Sequence, residues 1–306
     1  MPGKFDIAVI GCGVAGLTAV QHALLGGHSV AHVIGVVPMG GLVCNIGELH
    51  GYPSGAEPIS GLDLAIGILS SNSTGGATEI PADATSVTRE GDSFRISHSD
   101  GELHAKQIIA ATGARLRMLD VPGAKELEGR GVSQCGWCDG PLYKDKHAVV
   151  VGGGDAALEE ALHLAQFAAN ITLVARGDNL SARQSYVDRI RNHASIDIRM
   201  QCDVLEITGA DGVSSIRVRD RQKGAAEEIA CSGVFVFVGL QPNSEMFAEH
   251  VQLDTNGGIF TNYSMQTTTP GLFAVGAIRS GYGGRLVHAV GEAATAVMAA
   301  AQRCQR

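Results

Sequence analysis

Apolar positions in this chain form short, nearly continuous runs that end at glycine and are followed by segments with helical spacing. The stretch "FDIAVIGCGVAGLTAVQHALLGGHSVAHVIG" predicts a buried strand, a glycine turn, a helix of small residues and a second strand. The stretch "HAVVVGGGDAALEEALHLAQFAANITLVAR" predicts the same order again. The pattern therefore indicates two βαβ units, each of the kind that starts a dinucleotide-binding domain.

A polar segment with alternating apolar positions follows each unit and predicts a small antiparallel meander. Each meander leads into an apolar strand ending in glycine, "KQIIAATG" and "VFVFVGLQPN". The tail from "GLFAVGAIRS" onward has no counterpart before the second unit, so we expect it to return and complete the first domain. We predict an α/β fold with two Rossmann-like domains of the three-layer ββα type, the second (117–243) inserted into the first (1–116 and 244–306).

Composition and charge narrow the possible functions. The chain has 306 residues and a formal net charge of −8, without a block of lysines or arginines, which argues against nucleic acid as a partner. The longest clean apolar run, "VFVFVGL", is far shorter than the roughly 20 residues needed to span a bilayer, so we expect no membrane contact and a cytoplasmic location. The 7 cysteines are an odd number with one close pair and no second CxxC, so we expect neither a secreted disulfide framework nor a metal site.

Two glycine motifs lie between a predicted strand and a predicted helix. Gly11, Gly13 and Gly16 form G-x-G-x-x-G, and Gly152, Gly154 and Ala157 form its G-x-G-x-x-A variant. Such loops bring backbone N–H groups and a helix N-terminus to a pyrophosphate. The acid that usually binds the ribose is missing from the first domain, because Ile34 or Gly35 occupies its place.

The segment "CGWCDG" contains the pair Cys135 and Cys138, for which we favour a redox role over metal binding or inert burial. A C-x-x-C loop lets one thiolate attack an external disulfide while the second resolves the mixed disulfide. Trp137, the only tryptophan, either packs or stacks on a ligand. Cys12 and Cys44 are expected to fill small gaps.

The order of GxGxxG, "PMGG", "AATG", "CGWCDG", "GGGDAALEEA" and "FVGLQPN" resembles the low-molecular-weight thioredoxin reductases, a family of two-domain flavoprotein disulfide reductases. The resemblance covers nearly the whole chain. It implies FAD on the first domain, a nicotinamide nucleotide on the inserted domain, and a homodimer. It also implies that Cys138 is the thiol next to the flavin, that Cys135 attacks the disulfide of a partner, and that Asp139 is the acid. The implied partner is a thioredoxin-like protein, or else a small disulfide or dithiol.

The resemblance also assigns nucleotide-binding positions. For FAD they are Gly11, Gly13, Val14, Ala15, Gly16, Gly35, Gly40, Gly41, Leu42, Asn45, Ala111, Thr112, Gly113, Gly276, Ala277, Arg285 and Leu286. For the second nucleotide they are Gly152, Gly154, Asp155, Ala156, Ala157 and Arg176.

Several positions depart from the family pattern. Ala277 replaces the aspartate expected near the flavin, and the H-R-R-x-x-x-R grip on NADPH is reduced to Arg176, with Ala175, Gly177 and Ser181 at the other places. We therefore predict an electron donor other than NADPH, either ferredoxin or a second flavin in the inserted domain, where NADH also remains open. The alternatives are a dithiol oxidase that passes electrons to oxygen, and an ordinary NADPH-dependent thioredoxin reductase.

Overall fold

The computed structural model describes residues 3–36, 39–53, 59–72 and 76–304, so Pro38 of the "PMGG" motif lies outside the described residues. The chain splits into two compact units, a discontinuous unit (Met1–Arg115 and Gln241–Arg306) and an inserted unit (Leu116–Leu240). The chain crosses between them slightly before each of the predicted boundaries. Which nucleotide each unit binds stays a prediction.

The discontinuous unit is built on one mixed sheet in the order β3-β2-β1-β6-β5-β4, with β17 also paired to β6. Its strands are β1 (Lys4–Ile10), β2 (Val30–Val33), β3 (Thr78–Ile80), β4 (Ala84–Glu90), β5 (Ser93–His98), β6 (Gly101–Ala110) and β17 (Leu272–Ala274). The long strand β6 serves two parts of the sheet. Its first half pairs antiparallel with β5, and its second half pairs parallel with β17.

The described residues of this unit form the helices α1 (Val14–Leu25), α2 (Gly61–Asn72) and α6 (Leu286–Cys304). Short 3-10 helices cover Gly41–Asn45, Glu245–Phe247 and Gly276–Ile278. Strand β1 is buried on both faces. Ile7 and Val9 join the core under α1 and α6, whereas Ala8 and Ile10 join the core that includes residues of the β4–β5 meander. This explains its continuous apolar sequence.

The inserted unit contains a parallel sheet in the order β11-β10-β9-β15-β8 and an antiparallel sheet in the order β12-β13-β14. The strands are β8 (Val132–Ser133), β9 (His147–Val151), β10 (Asn170–Val174), β11 (Ile196–Arg199), β12 (Cys202–Thr208), β13 (Ser215–Asp220), β14 (Ala226–Ala230) and β15 (Gly233–Val236). The helices are α3 (Gly136–Asp139), α4 (Asp155–Leu164) and α5 (Gln184–Arg191), with a 3-10 helix at Gly140–Tyr143. Two further strands, β7 (Ala114–Leu116) and β16 (Leu240–Pro242), lie in the connecting segments and pair with each other.

The predicted fold class is confirmed. Each unit contains a strand, a glycine turn and a helix in succession, β1 and α1 in the discontinuous unit and β9 and α4 in the inserted unit, where β8 and α3 come first. Each also has parallel central strands with an antiparallel meander later in the chain. Within the described ranges, none of the helices is both long and apolar enough to cross a membrane.

Candidate active site

The two cysteines of "CGWCDG" are joined as a disulfide, with Cα atoms 5.3 Å apart. Cys135 precedes the short helix α3 and acts as its N-cap, because its Sγ accepts the backbone N–H of Cys138 at 3.1 Å. Cys138 is exposed, whereas Cys135 is half-buried. The local sequence thus gives a closed, accessible disulfide at the start of a helical turn.

Asp139 follows the disulfide directly and is held by Ser133. The Ser133 hydroxyl donates to Asp139 Oδ2 at 2.6 Å and also accepts the Cys135 N–H at 3.1 Å. One serine therefore connects the carboxylate to the first cysteine. The predicted acid is adjacent to Cys138 in sequence and shares Ser133 with Cys135, and its role in proton transfer stays a prediction.

Glu160 of helix α4 contacts the backbone of the turn between the two cysteines. Its Oε2 accepts the backbone N–H of Gly136 at 2.8 Å, and the N–H of Trp137 also bonds to this carboxyl. The residue is only 8% exposed. Burial raises the pKa of the Glu160 carboxyl to about 7, although the two N–H groups act in the opposite direction.

Trp137, between the cysteines, packs on the same helix. Its indole stacks on the His163 imidazole with ring centroids 3.6 Å apart and an angle of 17° between the planes. Burial lowers the pKa of His163, so the ring is neutral at pH 7. Trp137 thus packs against His163 within the inserted unit, and its stacking on a ligand stays a prediction.

The first glycine loop brings together several predicted residues of the discontinuous unit. Gly11 has φ of +114°, and a Cβ there would lie 2.3 Å from the Ala111 carbonyl oxygen. A Cβ on Gly16 would lie 2.0 Å from the Gly11 carbonyl oxygen, so only glycine lets the helix approach the strand this closely. The segment around Gly40 also joins the loop, because its N–H donates to the Cys12 carbonyl at 2.9 Å.

This loop fits the pyrophosphate of a dinucleotide such as FAD. Helix α1 starts after Gly13, which provides no side-chain cap, and its first turn carries no acidic residue. Its first N–H groups therefore remain available for an anion. Ile34 and Gly35 follow β2 at the place of the expected ribose acid, and Asp83, which lies between β3 and β4, accepts the Val36 N–H through its Oδ1 at 3.2 Å.

An ion pair lies next to Ala277, the position where the family pattern has an aspartate. The Gly276 N–H donates to Glu292 Oε2 at 2.7 Å, and Arg279 pairs with Glu292 Oε1 at 2.9 Å. Burial raises the pKa of Glu292, while the Gly276 N–H and Arg279 lower it. Ala277 follows Gly276 in a 3-10 helix and offers no polar side chain.

The remaining residues assigned to FAD have varied surroundings. Gly35 and Gly41 have positive φ, Gly113 accepts the Asn243 N–H at 3.0 Å through its carbonyl, and the Thr112 hydroxyl donates to the Asn243 carbonyl at 2.7 Å. Leu286 packs with the cluster that contains Val14. Leu42 and Arg285 are exposed, and Asn45 is half-buried.

The second glycine loop repeats the geometry of the first one. Gly152 has φ of +148°, and a Cβ there would lie 2.3 Å from the Phe237 carbonyl oxygen. Gly154 is the N-cap of α4, and Ala157 is fully buried in the first turns. Ala156 is exposed beside it.

The segment after β10 lies against this second loop. The Ser181 N–H donates to the Gly153 carbonyl at 2.8 Å. The Arg183 backbone N–H and side-chain Nε lie 2.6 and 2.9 Å from the two Asp155 carboxylate oxygens. The predicted nucleotide ligand Asp155 is thus bound to an arginine of its own unit.

Arg176 is exposed, and a second guanidinium lies near its backbone. Arg221 Nη1 donates to the Arg176 carbonyl at 3.4 Å, and Arg221 Nε lies 3.6 Å from Asp203. Sequence reasoning missed Arg221, because it comes from the β13–β14 turn, 45 positions away.

The other five cysteines form no disulfide; two of them are half-buried (Cys44 and Cys304) and three are buried (Cys12, Cys202 and Cys231). Burial raises the pKa of each of these thiols, that of Cys231 to about 12. All five are therefore protonated and poorly nucleophilic at neutral pH. Among the residues that can be described, no group of three or more His, Cys, Asp or Glu side chains could hold a metal ion.

The sequence reasoning also missed Glu160 and Ser133. An acid among the apolar positions Ala157, Ala161 and Leu164 of the predicted helix was a readable sign that Glu160 is buried. Ser133 carried no such sign, because a single serine before a cysteine is common in loops.

The chain is similar in sequence and fold to known proteins over nearly its full length. The profile of the pyridine nucleotide-disulphide oxidoreductases matches residues 5–300. A thioredoxin reductase from Treponema pallidum is 34% identical over 98% of this chain and 97% of its own length. The crystal structure of Lactococcus lactis thioredoxin reductase has a TM-score of 0.95 at 33% identity, covering 99% of both chains. The crystal structure of T. acidophilum thioredoxin reductase has a TM-score of 0.93 at 29% identity, also covering 99% of both chains.

Proposed function

The chain belongs to the pyridine nucleotide-disulphide oxidoreductase family and is a thioredoxin reductase-like flavoprotein disulfide oxidoreductase, and from this premise we propose how its electrons move. They pass from the Cys135–Cys138 dithiol to a thioredoxin-like protein or a small disulfide, and the pair itself closes as a disulfide. The observation that carries the proposal is the closed disulfide, with Cys138 exposed and Asp139 beside it.

FAD, when bound, supplies the two electrons that reduce the disulfide. The residues proposed to hold its pyrophosphate are the glycines of the first loop, whose backbone leaves the α1 N-terminus open. The absence of a ribose acid removes one charged contact, at a cost of roughly 1.5 to 3 kcal/mol, and the backbone contacts remain.

The proposed thiol chemistry proceeds in two displacements. The Cys135 thiolate attacks one sulfur of the partner disulfide, forms a mixed disulfide and releases the other partner sulfur as a thiolate. Cys138 then attacks Cys135 Sγ, closes the internal disulfide and releases the second partner sulfur. Two electrons thereby move from the dithiol to the partner, and Asp139 is placed to provide or accept a proton at the sulfurs.

We infer an electron donor other than NADPH, namely ferredoxin or a second flavin in the inserted unit. Of the family grip, Arg176 alone remains, and Ser181 is bonded to the glycine loop instead of offering a cation. Arg183 is engaged by Asp155 and by the Tyr186 hydroxyl at 3.1 Å. One observation favours the ordinary NADPH-dependent reaction, because the Arg221 guanidinium lies against the Arg176 carbonyl and adds a second cation there.

A homodimer is inferred from the family. Light scattering of the purified protein measures its mass in solution.

Reciprocal trapping tests the function and the order of the cysteines. Cys138→Ser leaves Cys135 free to attack but unable to resolve, so we expect it to accumulate a mixed disulfide with a thioredoxin-like protein or a small disulfide. Cys135→Ser is the matched control and is expected to trap at least tenfold less. Mass spectrometry under non-reducing conditions measures the adducts.

The structure makes the opposite order worth testing, because Cys138 is the more exposed sulfur. Preferential trapping by Cys135→Ser would reverse the assigned roles while keeping the function. If neither variant formed an adduct with any disulfide tested, the proposed thiol chemistry would be wrong.

A further inference from the structure

Helix α4 presents two side chains to the turn that carries the redox pair. Glu160 and His163 are three residues apart and therefore lie on the same helix face. Glu160 holds the backbone of the turn, through Gly136 and Trp137, and His163 holds the Trp137 ring. Neither side chain has a part in the nucleotide binding or sulfur exchange proposed above.

The contact made by Glu160 is specific. A Cβ on Gly136 would lie 2.2 Å from Glu160 Oε2, so the carboxyl reaches the backbone only because residue 136 is glycine. A buried carboxylate is costly unless hydrogen bonds replace its hydration, and here both donors come from the residues between the two cysteines. The carboxyl is therefore satisfied by the conformation of the turn that is seen with the disulfide closed.

We propose that Glu160 is a positioning residue for the redox pair, which favours the disulfide over the dithiol by fixing the two intervening residues on helix α4. The proposal rests on the redox function of the Cys135–Cys138 pair. Fixing the turn keeps the two sulfurs near each other, which raises the effective concentration of one thiol at the other.

The equilibrium in question is exchange with a reference dithiol. Dithiothreitol gives two electrons and two protons to the Cys135–Cys138 disulfide and becomes its own cyclic disulfide, while the pair becomes two thiols. Removing the Glu160 contact is expected to shift this equilibrium toward the protein dithiol. A tenfold change in the equilibrium constant corresponds to about 30 mV in the midpoint potential.

The experiment equilibrates the full-length, FAD-loaded protein anaerobically at pH 8 in graded ratios of reduced to oxidised dithiothreitol. Alkylation and mass spectrometry then give the fraction of the pair present as thiols. We expect Glu160→Leu, which removes both acceptor oxygens, to shift the constant about tenfold toward the dithiol. Glu160→Gln keeps one acceptor oxygen and the shape of the side chain, so it perturbs folding less than Glu160→Leu. We expect it to shift the equilibrium constant about threefold toward the dithiol. Glu126→Gln, which removes an exposed carboxylate of the same unit, is the matched control and is expected to leave it unchanged.

Trp137 offers a second measurement, because it is the only tryptophan in the chain and lies inside the turn. Release of the turn from α4 would expose its indole, so iodide should quench its fluorescence more strongly in the oxidised Glu160 variants than in the wild type. If the equilibrium constant for exchange with dithiothreitol were the same in both Glu160 variants as in the wild type, the positioning role alone would be overturned, whether or not iodide quenching of Trp137 changed. Failure of the wild-type pair to exchange with dithiothreitol at all would overturn both this role and the proposed function.

Discussion

Glu160 shows how one buried ionisable residue makes stability depend on pH. Its pKa is about 7 in the folded protein and about 4.5 when exposed, so between these values the folded state holds a proton that the unfolded state has lost. The free energy of unfolding therefore falls as pH rises from about 4.5 to about 7, by roughly 3 kcal/mol in total, and Glu160 causes no further change above pH 7.

We expect the free energy of unfolding of Glu160→Gln to lack this pH-dependent fall. Urea unfolding of wild type and variant between pH 5 and 8, followed by Trp137 fluorescence, measures the difference, and parallel stability curves would contradict it.

At the scale of elements, the approach of helix α1 to strand β1 depends on Gly16. A methyl group there would lie 2.0 Å from the Gly11 carbonyl oxygen, which is backbone and cannot rotate away. We expect Gly16→Ala to destabilise the discontinuous unit by about 1 to 3 kcal/mol and to lower the flavin content of the purified protein. Gly67→Ala is the matched control, because Gly67 is exposed on α2 with no atom near its added Cβ, and it should be neutral or stabilising by up to ~1 kcal/mol. Equal thermal stability and flavin content in the two variants would show that the close approach is not required.

At the scale of the whole molecule, the source of electrons is read from the flavin spectrum. Under anaerobic conditions we expect dithiothreitol to bleach the flavin, and NADPH to bleach it slowly or not at all, because Gly177 and Ser181 replace two cations of the family grip. Restoring both, as Gly177→Arg with Ser181→Arg, should speed bleaching by NADPH at least tenfold, since each charge-assisted bond contributes roughly 1.5 to 3 kcal/mol. Rapid stoichiometric bleaching of the wild type by NADPH would refute the alternative donor and would point to Arg176 and Arg221 as the grip.

Much of the candidate site was predictable, because the relevant signals are local. The glycine motifs that begin at Gly11 and Gly152 predict tight turns from neighbouring residues alone, and each of these glycines has a positive φ that favours glycine. The CxxC spacing likewise announces a pair able to close. Contacts between distant segments gave no comparable signal. The hydrogen bonds from Arg221 to the Arg176 carbonyl and from the Val36 N–H to Asp83 depend on which segments become neighbours in each unit.

By itself the sequence determined the two βαβ units, the family, the close cysteine pair and the positions of both glycine loops, since strand and helix periodicity and turn chemistry act over a few residues. Only the tertiary structure decided that Glu160 and His163 of α4 hold the turn between the cysteines, that Ser133 orients Asp139, and that Arg183 is engaged by Asp155. These arrangements depend on the packing of segments that are far apart along the chain. The pKa of a buried carboxyl and the exposure of each sulfur follow from that packing, because both are set by the atoms that replace water around the group.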